Sequence, residues 1–300
     1  MNWAAVEPQQ GTFNWAPLDK EIAAWASNSK KFILVIRYAS NGKRTSCTQS
    51  SQFLPQWEIP RIPTFCTSVH NILPDYFNST FQSDLLGYVS AIAQHIGASP
   101  YKNNLEYARI GVGVEGEGYP CTSCSASDMK QLTAWGYSVS NWAAWQKQML
   151  TSFQSLFSPV TSAPLIYPLG DNDTDPATNQ PVSQEVGYWA AANGIGVGQE
   201  GLHNTTNYQN GETVRIARYV RTHYPSAYIQ FQTDNQITGT NGGTTEVQGD
   251  INIANSAGAF TIEWYGPDTV NPSFQPYFQH WQQMVDCTYG GNNCPPSSSK

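Results

Sequence analysis

Apolar and polar residues recur along the chain in two periods, and these periods predict strands that alternate with helices. Short, nearly continuous apolar runs predict strands at residues 32–38, 107–114, 164–169, 194–201, 228–234 and 259–265. Apolar residues at helical spacing predict helices at residues 17–25, 81–96, 142–157, 212–223, 247–256 and 274–285. Repeated βα units in one chain imply a parallel sheet, so the predicted fold is an α/β protein of the (β/α)8 TIM-barrel type.

The number of predicted strands leaves this barrel incomplete at its start. The predicted units supply about seven strands, and the first of them, at Trp3, is only a stub. The first strand of an eight-stranded barrel, and part of the second, would then precede Met1, so we expect a truncated first strand. No linker interrupts the 300 residues. We therefore predict one catalytic barrel domain over residues 1–300, with a short polar C-terminal tail from about residue 288.

Glutamates follow the glycine-rich ends of the predicted strands. The segment 107–120 runs from a buried strand into Glu115 and Glu117, and residues 194–201 repeat the pattern with Glu200. Both segments satisfy the GxGxxG pattern of dinucleotide sites. Such a site needs its third glycine in a helix whose N-terminus binds pyrophosphate, and here the acids would repel that phosphate while Pro120 would break the helix. A nucleotide cofactor is therefore excluded.

Carboxylates at the ends of different barrel strands suit the hydrolysis of glycosidic bonds. That reaction needs two carboxyl groups, one of which donates a proton to the leaving oxygen. Because the carboxyl ends of barrel strands form the active face, we predict Glu117, Glu200 and Glu263 as catalytic candidates, and Asp234 ends a fourth strand. A single acid of this kind is more often a salt-bridge or capping residue, whereas several strand-terminal acids in one barrel favour a site.

Aromatic and polar side chains near these acids would position a sugar. Trp57 lies in a long loop, and Trp264 and Tyr265 end a strand, where sugar rings can stack on them. Arg37 ends an apolar strand, and it either points into the site or pairs with a structural acid. Asn235 is a further positioning candidate. Core packing is the expectation for the remaining tryptophans of the predicted helices, namely Trp25, Trp142 and Trp145.

The segment 3–19 resembles the opening of β-galactosidase-like glycoside hydrolases, family 42 and its neighbours among the clan A TIM barrels. The similarity rests on Trp3, Val6-Glu7-Pro8, Gly11 to Trp15 and Leu18-Asp19, and it continues through residues 73–77. Residues 116–120 are also similar to the acid segment of β-amylases. By position, the resemblance makes Glu117 the proton donor, with its pKa raised by burial or by a second carboxylate such as Glu115. We also predict substrate binding at Glu7 and Glu115.

This chain departs from the clan A pattern at both catalytic positions. Gly116 stands where those enzymes usually have asparagine, and Gln232 stands where their nucleophile ends the seventh strand. The family's nucleophile therefore cannot be carried over. Glu200 is our first choice as the second carboxylate, Glu263 the next and Asp234 the third. Retaining and inverting chemistry both stay open.

Composition and sequons indicate where the protein acts and which partners it lacks. Charged residues make up only 12% of the chain and the net charge is −7, which argues against nucleic-acid binding. Sequons at Asn78, Asn172 and Asn204 suggest a secreted glycoprotein. The sequence shows no membrane-spanning apolar run, and we expect a monomer without metal or cofactor that acts on a neutral poly- or oligosaccharide. The alternatives are a lectin-like binding barrel without activity and a secreted structural protein.

The six cysteines are compatible with disulfide bonds. We predict the pairs Cys121–Cys124, Cys287–Cys294 and Cys47–Cys66, although sequence does not fix connectivity. A zinc site that uses Cys121 and Cys124 is the rival interpretation. It would need a second pair of ligands, and the sequence has no second CxxC motif.

Overall fold

The computed structural model describes residues 1–40, 42–48, 53–170, 173–239 and 242–288, apart from the side chains of Cys287 and Thr288. The chain divides into two compact units, and the boundary follows Ile195. Unit 1 is Met1–Ile195, and unit 2 begins at Gly196. Both units alternate strands with helices, as the sequence periods predict.

Unit 1 contains strands and helices in the following ranges. Its strands are β1 Phe32–Val35, β2 Thr64–Cys66, β3 Ile72–Pro74, β4 Leu105–Arg109, β5 Leu165–Leu169, β6 Thr174–Asp175 and β7 Gln180–Pro181. Its α-helices are α1 Trp3–Val6, α2 Ala16–Ser27, α3 Ser79–Ala98, α4 Ala126–Ala134, α5 Val139–Phe157 and α6 Val182–Ala192. Short 3₁₀ helices lie at Ile59–Arg61, Lys102–Asn104 and Val114–Gly116.

The central strands of unit 1 are parallel, with β4 paired to β1 on one side and to β5 on the other. Every residue of β5 is buried, which fits its uninterrupted apolar sequence. The chain start differs from the predicted strand stub: Trp3 begins the short helix α1, and Asn2 forms a parallel bridge with Arg37. The predicted strand at 107–114 is also shorter, because β4 ends at Arg109.

Helices α3 and α5 carry much of the aromatic core of unit 1. Helix α3 begins at an N-cap, Asn78, whose side chain accepts hydrogen bonds from two backbone amides of the first turn. Trp142 and Trp145 of α5 are buried, which confirms their predicted packing role. Trp25 does not follow that prediction, since its side chain is 52% exposed. Of the apolar residues of α2, only Ile22 is buried.

Unit 2 has parallel strands connected through helices. The strands are β8 Gly196–Leu202, β9 Ile229–Thr233 and β10 Thr261–Glu263. The helices are α7 Thr206–Gln209, α8 Glu212–His223, α9 Gly243–Ser256, α10 Gly266–Thr269 and α11 Gln275–Thr288. Strand β9 pairs in parallel with β8 and with β10. Because parallel strands end at the same edge, this pairing collects the residues that follow them.

Two of the predicted disulfide bonds are present. Cys47 bonds to Cys66 and Cys121 bonds to Cys124. The second bond contradicts the zinc interpretation, since these sulfurs are bonded to each other. The predicted Cys287–Cys294 pair lies outside the described side chains. Among the described residues, no helix has both the length and the apolar character needed to cross a membrane.

Candidate active site

In unit 2, the strand register places Glu200 and Glu263 on either side of Gln232. Glu263, the last residue of β10, stands opposite Gln232 of β9. On the other side of β9, Gln199 stands opposite Phe231 and Leu202 opposite Thr233. Glu200 and Gly201 together therefore stand opposite Gln232. All three polar side chains are half-buried, so these two predicted catalytic residues lie at one level of the sheet.

The extra residue of β8 at this level makes a local irregularity. Between the two register pairs, β8 has Glu200 and Gly201 where β9 has only Gln232. Gly201 has a positive φ of 84°, a conformation that glycine adopts without steric cost. Irregularities of this kind re-aim side chains and are over-represented beside active sites.

The two faces of the unit 2 sheet differ in polarity. Val197, Ile229, Phe231 and Ile262 are apolar neighbours on one face. On the other face, Gln230 stands opposite Thr261 and is fully buried. Since side chains alternate along a strand, Gln232 and Glu263 share this polar face.

The residues that follow β9 extend the polar group. Asp234 accepts a hydrogen bond from the Asn235 side-chain amide at 2.7 Å. The Tyr265 hydroxyl donates to the Asp234 carbonyl at 3.2 Å, and the Tyr265 side chain is 39% exposed. Tyr265 therefore offers an exposed ring beside the strand ends, as a sugar-stacking residue would require. Trp264 is half-buried instead, and its ring lies 4.9 Å from that of Phe278.

A cavity of about 520 Å³ opens at the carboxyl ends of β8 and β9. Its lining consists of the last residue of β8, residues that follow β8 and β9, and residues in or just before α9, namely Leu202, His203, Asn235, Gln236, Ile237, Gly242, Glu246 and Asp250. Glu246 accepts hydrogen bonds from His203 Nδ1 at 2.7 Å and from the Asn204 amide at 2.9 Å. Among these residues, Asn235 is a predicted site residue, whereas His203, Glu246 and Asp250 were not predicted from the sequence.

Asp250 is the most deeply buried acid of this cavity, and one of its oxygens has no hydrogen-bond partner. The side chain is 1% exposed, and Oδ1 is the atom without a partner. Burial raises the pKa of Asp250 to about 8, and the nearby carboxylates of Glu246 and Asp234 add to the rise. A sequence signal existed: Asp250 shares a helical face with Val247 and Ile251. A charge at such a position marks either a paired core acid or a site.

In unit 1, Glu117 lies on a loop that is closely packed by glycines. The Gly113 amide donates to the Glu117 carbonyl at 2.7 Å. A Cβ atom at Gly111 would lie 1.7 Å from the Gly116 carbonyl oxygen, and one at Gly113 would lie 1.9 Å from the Tyr119 carbonyl oxygen. The glycines thus let the backbone fold back on itself. A single 3₁₀ turn follows them, so no helix N-terminus is available for pyrophosphate.

Glu117 itself is half-buried. The residues that follow it line a second cavity of about 560 Å³, whose wall includes Tyr119, Pro120 and the Cys121 end of a disulfide. The predicted general acid therefore belongs to a segment that borders open space. Its role as proton donor is still a prediction from the sequence.

Glu115 and Arg37 are brought together in unit 1. Arg37 Nη1 lies 3.4 Å from Glu115 Oε2, and Ser40 donates a hydrogen bond to Glu115 Oε1 at 2.8 Å. Glu115 has a positive φ of 56°, which is uncommon for a residue with a side chain. Arg37 therefore pairs with an acid, as one of its two interpretations anticipates. Both side chains are partly exposed.

Glu7 and Trp57 also lie together in unit 1. The Glu7 carboxylate accepts from Trp3 Nε1 and from the Gly11 amide, each at 2.7 Å, and the Glu7 carbonyl accepts from Trp57 Nε1 at 3.0 Å. Glu7 is 5% exposed. These hydrogen bonds hold the turn before Gly11 against two indole rings, so the observed contacts of Glu7 and Trp57 stabilise the fold. Substrate binding by Glu7 and Trp57 stays a prediction.

No protein-family model and no curated protein sequence matches the chain. Solved structures do match. An endo-glycoceramidase II from Rhodococcus sp., described as a lactosyl-enzyme intermediate, is 10% identical, with a TM-score of 0.54 over 88% of this chain. A thermostable mutant of a xylanase from Cellvibrio japonicus is 10% identical, with a TM-score of 0.50 over 94% of this chain and 86% of its own.

At this identity the similarity shows the fold and not the activity. This chain spans 63% of the length of the endo-glycoceramidase structure. The structural neighbours are glycoside hydrolases, whereas nothing in these comparisons supports family 42 in particular. The fold class predicted from the sequence is confirmed: the chain has the α/β fold of the (β/α)8 barrels.

Proposed function

We propose that the protein is a glycoside hydrolase that cleaves O-glycosidic bonds in a neutral poly- or oligosaccharide. The observation that carries the proposal is the register of β8, β9 and β10, which holds Glu200 and Glu263 at one level on either side of Gln232. Carboxylates at the carboxyl ends of strands occupy the part of a (β/α)8 barrel where active sites form.

The spacing of the strands suits a pair of glutamates. Neighbouring strands lie about 4.8 Å apart, so the backbones of β8 and β10 are separated by roughly 10 Å. Glutamate side chains can shorten this distance further, so either carboxyl group can reach a saccharide bound at the strand ends. In this proposal one of the two acts as nucleophile or as the base that activates water. Tyr265 and Asn235 would position the sugar, together with Trp264.

Glu117 is the proposed general acid. The support is the similarity of its segment to the acid segment of barrel glycosidases and its half-buried position on the glycine loop. Glu115, held by Arg37 and Ser40, would be its neighbour in the same unit. We assign Glu7, Arg37, Trp57 and Glu115 to substrate binding as part of the same proposal.

Hydrolysis of a glycan panel tests this function. We expect turnover of at least one neutral polysaccharide by the unmodified protein, and a loss of about 10³-fold in kcat for Glu117→Gln and Glu200→Gln. Glu21→Gln, which changes an exposed glutamate of α2, is the matched control and should leave turnover unchanged. Full activity of the Glu117 variant would remove that residue from the mechanism.

A specific residue supports a second function, that of a lectin-like barrel without activity. Gln232 lies opposite Glu263 at the level where a barrel glycosidase would have an acid. An amide at this position can bind sugar hydroxyls but cannot act as nucleophile. Saccharide binding by the unmodified protein without any turnover would favour this function over hydrolysis.

The two disulfide bonds favour an oxidising compartment, so we infer that the protein is secreted. Glycosylation at Asn78 and Asn204 belongs to the same proposal. An enzyme on this scaffold would need only its saccharide partner and would work as a monomer. Mass measurement of the protein recovered from the medium of a eukaryotic host, before and after glycan removal, tests secretion and glycosylation.

A further inference from the structure

The cavity beside α9, here called the α9 cavity, has more ionisable groups than a neutral sugar requires. Its lining is Leu202, His203, Asn235, Gln236, Ile237, Gly242, Glu246 and Asp250. Its wall carries the carboxyl groups of Glu246 and Asp250, and Asp234 acts on Asp250 from the end of β9. His203 is the basic side chain of the lining, and it is already paired with Glu246. The cavity lining therefore has more acidic than basic side chains.

Asp250 provides an independent sign that this cavity accepts a ligand. Its Oδ1 atom is buried and lacks a hydrogen-bond partner. A buried acceptor without a donor costs free energy unless a ligand or a proton satisfies it. The position on α9 is fixed by packing, because Val247, Ile251 and Ala254 on the same helical face are buried. The carboxyl group is therefore held in place and not free to turn to solvent.

We propose that this cavity binds the ammonium group of an amino-sugar unit in the saccharide substrate. An ammonium group has three N–H donors and one positive charge, so it can donate to the open Asp250 oxygen and neutralise the carboxylate that forms when Asp250 loses its proton. Ion pairs of this kind form strong hydrogen bonds when they are partly buried. The cavity volume of about 520 Å³ falls in the range of small-molecule sites, which is about 300 to 1,000 Å³.

The sugar part of the proposal rests on the proposed function. The cavity lies at the same strand ends as Glu200. Asp234 Oδ1 lies 4.0 Å from the place that a Cβ atom on Gly201, the neighbour of Glu200, would occupy. A saccharide that reached Glu200 would therefore have a neighbouring unit close to the cavity mouth. The inference changes the substrate class of the proposed enzyme, because a glycan with an amino-sugar unit carries positive charge whereas the sequence predicts a neutral glycan.

The groups around Asp250 determine how binding should couple to protons. Glu246 faces it from the same helix, Asp234 from the end of β9 and Tyr208 from α7. With its pKa raised to about 8, the empty site holds a protonated carboxyl group at neutral pH. An ammonium ion stabilises the carboxylate, so binding should lower this pKa and release a proton.

Calorimetric titration of D-glucosamine and D-glucose tests the inference, because the two sugars differ only at C2. At about pH 6 we expect at least tenfold tighter binding of glucosamine, which corresponds to about 1.4 kcal/mol. Titration in two buffers of different ionisation enthalpy should show proton release with glucosamine and none with glucose. Asp250→Asn should remove both the preference and the proton release, whereas Glu212→Gln, a carboxylate of unit 2 outside the cavity lining, should keep both.

Several results would overturn the inference. These are equal affinity for the two sugars, a preference that survives in Asp250→Asn, and methylammonium binding as tight as that of glucosamine, which would leave no role for the sugar. The failure of the proposed function would look different, as an absence of turnover on every glycan while the glucosamine preference persists. If Asp250→Asn does not fold, the proton release of the unmodified protein still decides the question.

Discussion

Replacing Glu58 by glutamine perturbs a buried acidic pair in unit 1. Glu58 precedes the 3₁₀ helix Ile59–Arg61 and is fully buried. It faces Asp84 of α3, to which it is hydrogen-bonded, and Glu7 lies close enough to repel its charge. Arg61 Nη2 is 2.8 Å from Asp84 and Arg61 Nε is 3.8 Å from Glu58. One cation therefore serves two carboxyl groups.

Burial raises the pKa of Glu58 from 4.5 to about 8, and repulsion by Asp84 adds to the rise. Because the folded state holds the Glu58 proton more tightly than the unfolded state, stability is greatest below about pH 4.5 as far as this group is concerned. It falls between about pH 4.5 and pH 8 and then stays level. The difference of about 3.5 pKa units, at about 1.4 kcal/mol per unit, sets an upper limit of roughly 5 kcal/mol.

Glutamine at position 58 should remove this dependence, since its amide can donate to Asp84 at every pH. At about pH 4, where Glu58 is protonated in both the folded and the unfolded state, we expect the variant and the unmodified protein to have similar free energies of unfolding. At about pH 9 the variant should be more stable by up to roughly 5 kcal/mol, a rise in melting temperature on the order of 10 °C. Denaturant unfolding at both pH values measures the difference, and Glu21→Gln on the exposed face of α2 is the control.

A parallel loss of stability in Glu58→Gln and the unmodified protein between these pH values would contradict the assigned pKa of Glu58. Lower stability of the variant at both pH values would also contradict the account, because the amide would then lack the partner that we assign to it. Asp250 of unit 2 also has a raised pKa and contributes its own loss of stability over a similar pH range. The comparison must therefore use the difference in free energy of unfolding between the variant and the unmodified protein at each pH.

Further predictions concern the loops and the sugar site. Replacing Cys47 and Cys66 by serine opens a bond between residues 19 apart and should lower the free energy of unfolding by about 3 kcal/mol; an unchanged denaturation midpoint would contradict this. Gly111→Ala should destabilise by several kcal/mol, because its Cβ would overlap the Gly116 carbonyl. Gly87→Ala in α3, where the Cβ meets nothing within 4 Å, should instead stabilise by about 0.5 to 1 kcal/mol. Tyr265→Ala should raise KM for a glycan substrate about tenfold with a smaller change in kcat, whereas an unchanged KM would exclude sugar stacking.

The sequence was informative where local patterns decide structure. Helix α8 begins at Glu212 and ends at His223 as predicted, because its apolar residues follow one helical stripe and charges fill the opposite face. The ends of the strands could also be predicted from the sequence, because an apolar run stops there, so Glu200 and Glu263 could be placed at the carboxyl ends of strands. The parallel register then places them at the same level.

Other features depend on contacts between distant segments. The β4 strand was predicted too long, since the apolar pattern continues through Val112 although the glycine loop has already turned. The pairing of Glu58 with Asp84 arises when distant segments pack, and local sequence does not reveal which acid faces which. Trp25 illustrates the reverse case: an apolar residue on the predicted inner face of α2 that the fold leaves exposed.

A double-mutant cycle on Glu200 and Glu263 tests the central claim most directly. Initial rates of glycan hydrolysis would be measured for the unmodified protein, Glu200→Gln, Glu263→Gln and the double variant. If one of the two carboxylates is the nucleophile or base, at least one single change should lower kcat by about 10³-fold, and the double change should cost little more than the larger single loss. Losses that multiply, or full activity in both single variants, would contradict the account.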